Sequence, residues 1–436
     1  MRRAQSRPPA ARIARGGSRA GSALQSHGTT RCRGAQAERF RRCRLILAGL
    51  GIALAGCSET PLPTPPSDHL LRAGAVTFWE ANAAVYWNDV AREMVIANHS
   101  PAPFAIRGYA IVSLAQYNAA VTAEKEKVGS QDPSIRAAIA GASVTALSYL
   151  YPAHASAVES LLQEFLAAPA WPGERHQDAA AGVAIGRAIG EQVVAGARTD
   201  NFFALETVPV PVGTCLWFSN SPPVGALWGQ ARTFLLLSGD QFRPPPPPAC
   251  DSPEFLAALA EVRQISDTRT AEQASNATFW DFAVGTYTPP GYWNEEAARL
   301  AVKYHLNDRR AAHMFALMNM VSFDAIVASH EAKYFYWLLR PPHADSGITT
   351  AIPLPNFPSY PANHAAVSGS MARILAYMFP AEKTRLDALA EEAAFSRVLG
   401  GIHYRFDGEA GLVLGRQIAA WALANDVHGH EPFVLR

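Results

Sequence analysis

Beyond about Ser67 the chain consists of long stretches in which Ala, Leu, Val and Met recur at intervals of three and four, with polar residues between them. That period is the mark of a helix with one buried face. It predicts helices over Ala75 to Ala97, Ile106 to Lys127, Ser134 to Leu150, Ala157 to Leu166 and Gln177 to Ala197. After an interruption the pattern resumes at Glu254 to Ile265, Ala271 to Phe282, Asn294 to Tyr304 and Arg309 to Leu338. It closes with Asn363 to Met378, Glu382 to Leu399 and Asp407 to Ala424. Strand-like alternation bounded by Asn-Gly or Asp-Gly turns is nearly absent. The expected fold class is all-α, a helical bundle.

The interruption, Asn201 to Ser252, holds Pro209, Pro211, Pro222, Pro223 and the run Pro244 to Pro248. Proline removes a backbone donor and fixes φ, so this segment reads as a long irregular connection. Trp217, Phe218, Trp228 and Phe234 are expected to anchor it on the helical body. The chain then divides into a helical half with its proline-rich crossover, 71–252, and a second helical half, 253–436. After Cys57 no stretch makes a convincing apolar span of about 20 residues, the length a membrane helix needs.

Composition adds little about the fold and more about location. The 436 residues carry a formal net charge of +1, with 49% apolar and 17% charged residues. Such a balance argues against a nucleic-acid binder, which would show a basic stripe in its folded part. The basic residues instead crowd the N-terminus, among them Arg2, Arg3, Arg41, Arg42 and Arg44, ahead of the short apolar run Leu45 to Gly56. A basic region followed by a short apolar run is the pattern of a secretory signal, here over 1–56. Leu54-Ala55-Gly56-Cys57 resembles the lipobox of bacterial lipoproteins. That resemblance implies lipidation of Cys57 and cleavage before it, an ordinary cleaved signal being the alternative. Residues 57–70, rich in Ser, Thr and Pro, suit a flexible tether. The expectation is an exported protein, periplasmic or at the cell surface, anchored to a membrane by lipid. Cys215 and Cys250 then remain, to pair in an oxidising compartment or to stand as two buried thiols.

Three short segments concentrate the chemistry. Lys333 and Arg340, in KYFYWLLRP, are seven residues apart, which on a helix is two turns and one face. Asn363-His364, in LPNFPSYPANHAA, stands where prolines give way to a helical run, so their N–H groups lie at a helix N-terminus that suits an anion. Arg397, in SRVLGGIHYRFD, precedes a Gly400-Gly401 break, then His403 and Asp407 at i and i+4, where the carboxylate can fix the imidazole tautomer. Taken singly, each has a plainer reading: a solvated helix face, a helix cap, a surface ion pair. Together they offer three cations and two histidines, and charge-assisted bonds from Lys and Arg are what a phosphate-like oxyanion binds best.

In this order and spacing the segments resemble the superfamily of type 2 phosphatidic acid phosphatases and vanadium-dependent haloperoxidases, most closely over Lys333 to Asp407. Fainter similarity extends to TPPGYWNEEA at Thr288 to Ala297 and to RGYAIVSLAQYNAAV at Arg107 to Val121. The resemblance implies that Lys333, Arg340 and Arg397 bind the oxyanion and that His364 moves protons. It implies that His403 attacks phosphorus in a phosphatase or coordinates vanadium in a haloperoxidase, with Asp407 orienting it. One departure stands out. Where the family reads Pro-Ser-Gly-His, this chain reads Pro361-Ala362-Asn363-His364. The serine hydroxyl is lost, and a bond to a charged group is worth about 1.5–3 kcal/mol. Asn363 keeps a backbone N–H for the oxyanion and tolerates the left-handed conformation in place of Gly. Ser359 is a candidate substitute donor.

Three functions follow. The first is a haloperoxidase-like enzyme in which bound vanadate uses hydrogen peroxide to oxidise halide. The lack of hydrophobic spans and the aromatic KYFYWLLRP segment, which resembles the soluble peroxidase group, favour it. The second is an acid phosphatase of the same superfamily, needing no vanadate, that cleaves phosphate esters through a phosphohistidine at His403. The third is a catalytically weak anion-binding lipoprotein, for which Ala362 is the motive. His330 and His343 are candidates for tuning the pocket, and the apolar helical faces leave room for a homodimer.

Overall fold

The expected helices account for most of the computed structural model, which describes residues 82–126, 132–168, 176–204, 208–426 and 429–434. The signal, the tether and Cys57 lie outside them. In chain order the helices are α1 (Ala83–Ala97), α2 (Ala102–Lys125), α3 (Ile135–Leu150), α4 (Ala155–Ala167) and α5 (Ala179–Ala197). There follow α6 (Pro253–Thr268), α7 (Ala271–Asp281), α8 (Thr288–Lys303) and α9 (Asp308–Tyr336). The last are α10 (Pro341–Ala344), α11 (Asn363–Met378), α12 (Lys383–Leu399) and α13 (Arg405–Ala424). Two very short strands, Asp132–Pro133 and His176–Asp178, pair in parallel and tie the start of α3 to that of α5.

Several helices begin on a side-chain cap. Asn82, Ser134, Asp178, Ser252 and Asn307 each accept a hydrogen bond from the backbone N–H three residues on, satisfying one of the free donors of the first turn. Two helices start earlier than the apolar period suggests. Pro103 in α2 and Pro289 and Pro290 in α8 fall within the first turn, where a missing N–H costs nothing. α9 stops sooner than expected. Trp337 turns into the left-handed region at φ 54, so the helix ends at Tyr336. Arg340 therefore does not share a helical face with Lys333. The two side chains meet through the loop that follows, not through helical periodicity.

α9 lies at the centre of the bundle, flanked by α2, α11 and α13, and is buried on nearly all sides. By length and composition it would cross a membrane, but 94% of its most apolar window is inside the protein. A helix apolar all round is here a core helix. One continuous apolar core runs from Ala83 to Ala422, drawing on helices from before and after the crossover. α11 and α13 pack closely because α13 presents glycine: a Cβ on Gly415 would sit 2.1 Å from the Ala366 carbonyl oxygen. That contact sets how near the middle of α13 comes to the start of α11.

Several contacts fix the path of the crossover. Trp217 N donates to Trp337 O at 2.6 Å and Leu339 N to Cys215 O at 3.1 Å, a short antiparallel bridge. Cys215 and Cys250 form a disulfide. Arg243 forms a two-pronged pair with Glu331. Another is Asp324, fully buried on α9, which accepts the N–H groups of Phe234, Leu235 and Leu236 at 2.8, 2.8 and 2.9 Å. Of the expected apolar anchors Trp217 is buried and Trp228 and Phe234 are partly so. Phe218 is not an anchor: it is 58% exposed and stacks on His343, ring to ring at 4.7 Å.

Burial pushes the Asp324 carboxyl up to about 6, against the pull of its three N–H donors. The fold thus favours its neutral form, so its contribution is greatest below the ordinary carboxylate range and declines as pH rises through about 6. Asp324→Ala, which strands three buried N–H groups, is expected to cost about 3–5 kcal/mol in chemical denaturation at neutral pH. Relative to Asp324→Asn, which does not titrate, the unsubstituted protein is expected to lose stability between about pH 4 and 6. A flat difference would contradict this.

Candidate active site

The three cations are buried side chains tied first to backbone. Lys333, on the last turn of α9, gives its three protons to the carbonyls of Pro358, Ser359 and Pro361 at 3.1, 2.6 and 2.5 Å. Arg340 donates to Phe357 O and to Ile402 O, both at 2.8 Å, so it bridges two of the three motif segments. Both cations also lie over the Phe357 ring. Arg397, near the end of α12, donates to Ala277 O at 2.8 Å and pairs with Asp281 at 3.4 Å.

His403 precedes α13 and is reached by a turn that only glycine makes easily. Gly401 sits at φ 77, and a Cβ there would meet Thr349 O at 2.8 Å. The turn places His403 Nδ1 2.8 Å from Asp407 Oδ2, an oxygen that also accepts from the Tyr404 N–H at 3.1 Å and the Ser359 hydroxyl at 2.5 Å. The i, i+4 pair expected from sequence is therefore a contact across the start of α13, with Asp407 in its first turn. Ser359 spends its proton on Asp407 and so orients the carboxylate; it does not stand in for the serine missing at Ala362. Burial pushes Asp407 up to about 6 and, with Arg340, Lys333, Arg397 and His364 close by, holds His403 well below the ordinary imidazole range. At neutral pH the imidazole is then uncharged, Nδ1–H donates to Asp407, and Nε2 accepts a long bond from Arg340 Nη1 at 3.3 Å.

At the start of α11, Ala362 is the cap residue and offers no side-chain bond to the free N–H groups beyond it. Asn363 and His364 are the first two helical residues. Asn363 does not use the left-handed conformation, which the sequence had suggested as its merit. Its side chain is engaged instead: Oδ1 accepts from Ser329 Oγ at 2.9 Å and Nδ2 donates to His330 Nε2 at 3.0 Å. His364 Nε2 donates to the Trp280 carbonyl at 2.9 Å. Burial and then Arg397 hold it well below the usual imidazole range.

Arg397, His403, His364 and Asn363 line one cavity of about 560 Å³. Lys333 and Arg340 are not among its lining residues. Their electrostatic reach to His403 and His364 places all six groups around one focus. Burial lowers Arg340 to about 9 and Arg397 to about 10, and takes Lys333 well below the usual lysine range. The cause is common to all three: buried cations lacking enough counter-charge. One fully buried carboxylate, Asp407, and one partly exposed, Asp281, face three buried cations. Arg340 Nη2 has no hydrogen-bond partner among the described residues. An anion fits such a site, since it would neutralise the excess charge and give the orphaned donor a partner.

Some of the site carries no local sequence signal. Asp281 and the Trp280 carbonyl close α7, 116 and 84 residues from Arg397 and His364. Pro289, Pro290, Pro353, Pro355, Val284 and Ile326 give the cavity apolar walls. Of the two candidate tuning histidines, His330 joins the site through Asn363, whereas His343 stacks on Phe218 away from the cavity.

Comparison with known proteins agrees with the resemblance read from the motifs. Residues 312–427 match the family model of the PAP2 superfamily. The vanadium chloroperoxidase of Curvularia inaequalis is 24% identical over 190 residues, 34% of this chain and 31% of that protein. The match thus spans about a third of the relative's length. Among solved structures, the fold is similar to that of a bacterial vanadium-dependent iodoperoxidase, with a TM-score of 0.66 at 24% identity, covering 78% of this chain and 94% of that one. It is also similar to a holo-type bacterial vanadium-dependent chloroperoxidase, with a TM-score of 0.60 at 13% identity, covering 84% and 97%. At these identities the structures establish a shared helical fold.

Lys333 provides a test of the geometry. If it serves only an anion, removing it from the ligand-free protein relieves repulsion and stabilises. Its three carbonyl bonds predict the reverse. Lys333→Met is expected to destabilise the ligand-free protein by about 2–3 kcal/mol in denaturant unfolding, because buried carbonyls lose their donor. A more stable variant would refute this role.

Proposed function

We propose that this protein is an exported vanadium-dependent haloperoxidase-like enzyme, with vanadate held over His403 and hydrogen peroxide and halide as its substrates. The observation that carries the reading is the excess of buried positive charge around an uncharged His403 whose Nε2 accepts only a long bond from Arg340 Nη1, which a ligand would displace. In the bound state vanadate would supply activation of peroxide towards halide. The protein's part is to bind and orient. Arg397 and the orphaned Nη2 of Arg340 are the proposed donors to the oxyanion, with the N–H groups at the start of α11 beside them. Lys333 adds charge while fixing the loop 358–361. His403 Nε2 is the proposed ligand atom, its tautomer set by Asp407. His364, neutral and held by the Trp280 carbonyl, is the proposed group for moving protons at the cavity wall. The disulfide supports export, since such bonds persist in oxidising compartments. The sequence before and including Cys57 adds a proposed leader and lipid anchor.

The match to the PAP2 superfamily favours one alternative on the same residues. Here His403 Nε2 attacks the phosphorus of a phosphate monoester and the bond to the alcohol oxygen breaks. His364, which takes up a proton at its free Nδ1 once the phosphate's charge is in place, delivers it to the departing alcohol, and water then cleaves the phosphohistidine to release phosphate.

One set of assays decides. Protein loaded with orthovanadate is expected to brominate or iodinate a phenol dye when peroxide and halide are both present. Protein without vanadate would be given soluble phosphomonoesters. Hydrolysis without halogenation would sink the first reading in favour of the second. Neither activity, with anion binding retained, would leave an anion-binding protein. His403→Ala is expected to lower whichever activity is found by roughly a thousandfold or more, as loss of a covalent or ligating group does. Unchanged turnover would mean the site is elsewhere.

A further inference from the structure

We propose that the side-chain amide of Asn363 is an oxyanion donor that replaces the hydroxyl missing at Ala362, and that Ser329 and His330 hold it in that role. The proposal rests on the reading of this cavity as an oxyanion site. It concerns the position at which this chain departs from the Pro-Ser-Gly-His pattern.

The argument begins at Gly225, on the crossover. Its carbonyl accepts from His330 Nδ1 at 3.0 Å, which puts the proton on Nδ1 and leaves a lone pair on Nε2. His330 is fully buried, boxed by the rings of Trp228 at 4.7 Å and Phe357 at 5.3 Å. It therefore has no freedom to change tautomer by turning towards solvent. Its Nε2 must be met by a donor, and the group it meets is Asn363 Nδ2 at 3.0 Å. This fixes which end of the amide is nitrogen. Turned over, the amide would set its oxygen against the imidazole lone pair. In the observed orientation the oxygen instead receives the Ser329 hydroxyl at 2.9 Å, a proton shared with the Ile326 carbonyl at 3.1 Å. Crossover, α9 and α11 thus agree on one orientation.

The amide nitrogen carries two hydrogens and His330 takes one. The second has no partner among the described residues, and Asn363 is only partly buried because it lines the cavity beside His364, Arg397 and His403. A donor fixed at its other end, on a residue that lines a site rich in positive charge, is pre-organised for an anion oxygen. A glycine at this position would offer a backbone N–H alone. The paired change from the family pattern, a hydroxyl lost at 362 and an amide present at 363, reads as one donor moved by one residue.

The test is a binding cycle on the protein without cofactor, using titration calorimetry with inorganic phosphate and, separately, orthovanadate. Asn363→Gly and Asn363→Ala are expected to weaken both anions by roughly 10- to 100-fold, the value of one bond to a charged group. Ala362→Ser should restore most of that loss in the Asn363→Gly background. In the unsubstituted background it should add less than about threefold, because the donor it supplies is already present. His330→Phe, which removes the acceptor that orients the amide, should give an intermediate loss. Thermal melts of each variant separate lost binding from lost folding. Asn363→Gly binding as tightly as the original chain would overturn the proposal. So would Ala362→Ser adding the same factor in both backgrounds. Arg397→Ala distinguishes the two levels. If it abolishes binding while Asn363→Gly does not, the oxyanion site stands and the amide donor falls. If the unsubstituted protein binds neither anion, both fall.

Discussion

Everything at the centre of this protein is arranged around a cluster of buried positive charge. Three cations out of water, with little carboxylate near them, are expensive to hold, and the chain holds them with its own backbone. Lys333 gathers three carbonyls from the loop 358–361, and Arg340 joins Phe357 to Ile402. These bonds do two things at once. They partly compensate the charges, and they fold the PSYPANH loop against the turn that carries His403. The same cations that would attract a ligand are thus the struts that shape its site. Arg397 differs, being fastened to Ala277 and Asp281 at the end of α7, and it alone of the three faces the cavity.

Much of this was legible in the residues. The helical period placed the elements, the three motif segments marked the region, and their joint pattern resembles the superfamily whose model matches residues 312–427. What the sequence could not reveal is set by contacts between distant segments. The seven-residue spacing of Lys333 and Arg340 suggested one helical face, but a left-handed Trp337 ends α9 between them, and the loop brings them together instead. Ser359 was a natural candidate for the missing donor, yet its hydroxyl lies on Asp407 because the loop folds over the start of α13. Asn363 was notable for its backbone, and its side chain proves to be the engaged part. Asp281 and Trp280 could not have been found, since nothing local to α7 indicates that it packs on α12. Phe218 failed as an anchor for a related reason. An aromatic residue in an irregular segment has no period to say which way it faces.

The crossover shows how a segment with little regular structure is given a fixed path. Proline runs deny it a ladder of its own, and α9 supplies the partners instead: a carboxylate for three N–H groups, a glutamate for Arg243 and a short bridge after Trp337. The link reaches the site directly, because Gly225 on the crossover sets the state of His330 on α9. A segment that a sequence profile would class as loop thereby takes part in the chemistry of the interior.

The cavity has two kinds of wall, and they are built separately. Its floor is wired together by Arg340, which donates to the Phe357 and Ile402 carbonyls, and by the bond between His403 and Asp407. Its sides, from Val284, Pro289, Pro290, Pro353 and Pro355, are apolar and take no part in that wiring. Exchanging a side residue alters size and greasiness without unpairing any charge, whereas exchanging a floor residue disturbs the whole network. Such a division lets mutation explore which molecules are admitted while the reactive centre stays intact. A lineage carrying this scaffold has, in effect, an adjustable doorway on an unchanging room.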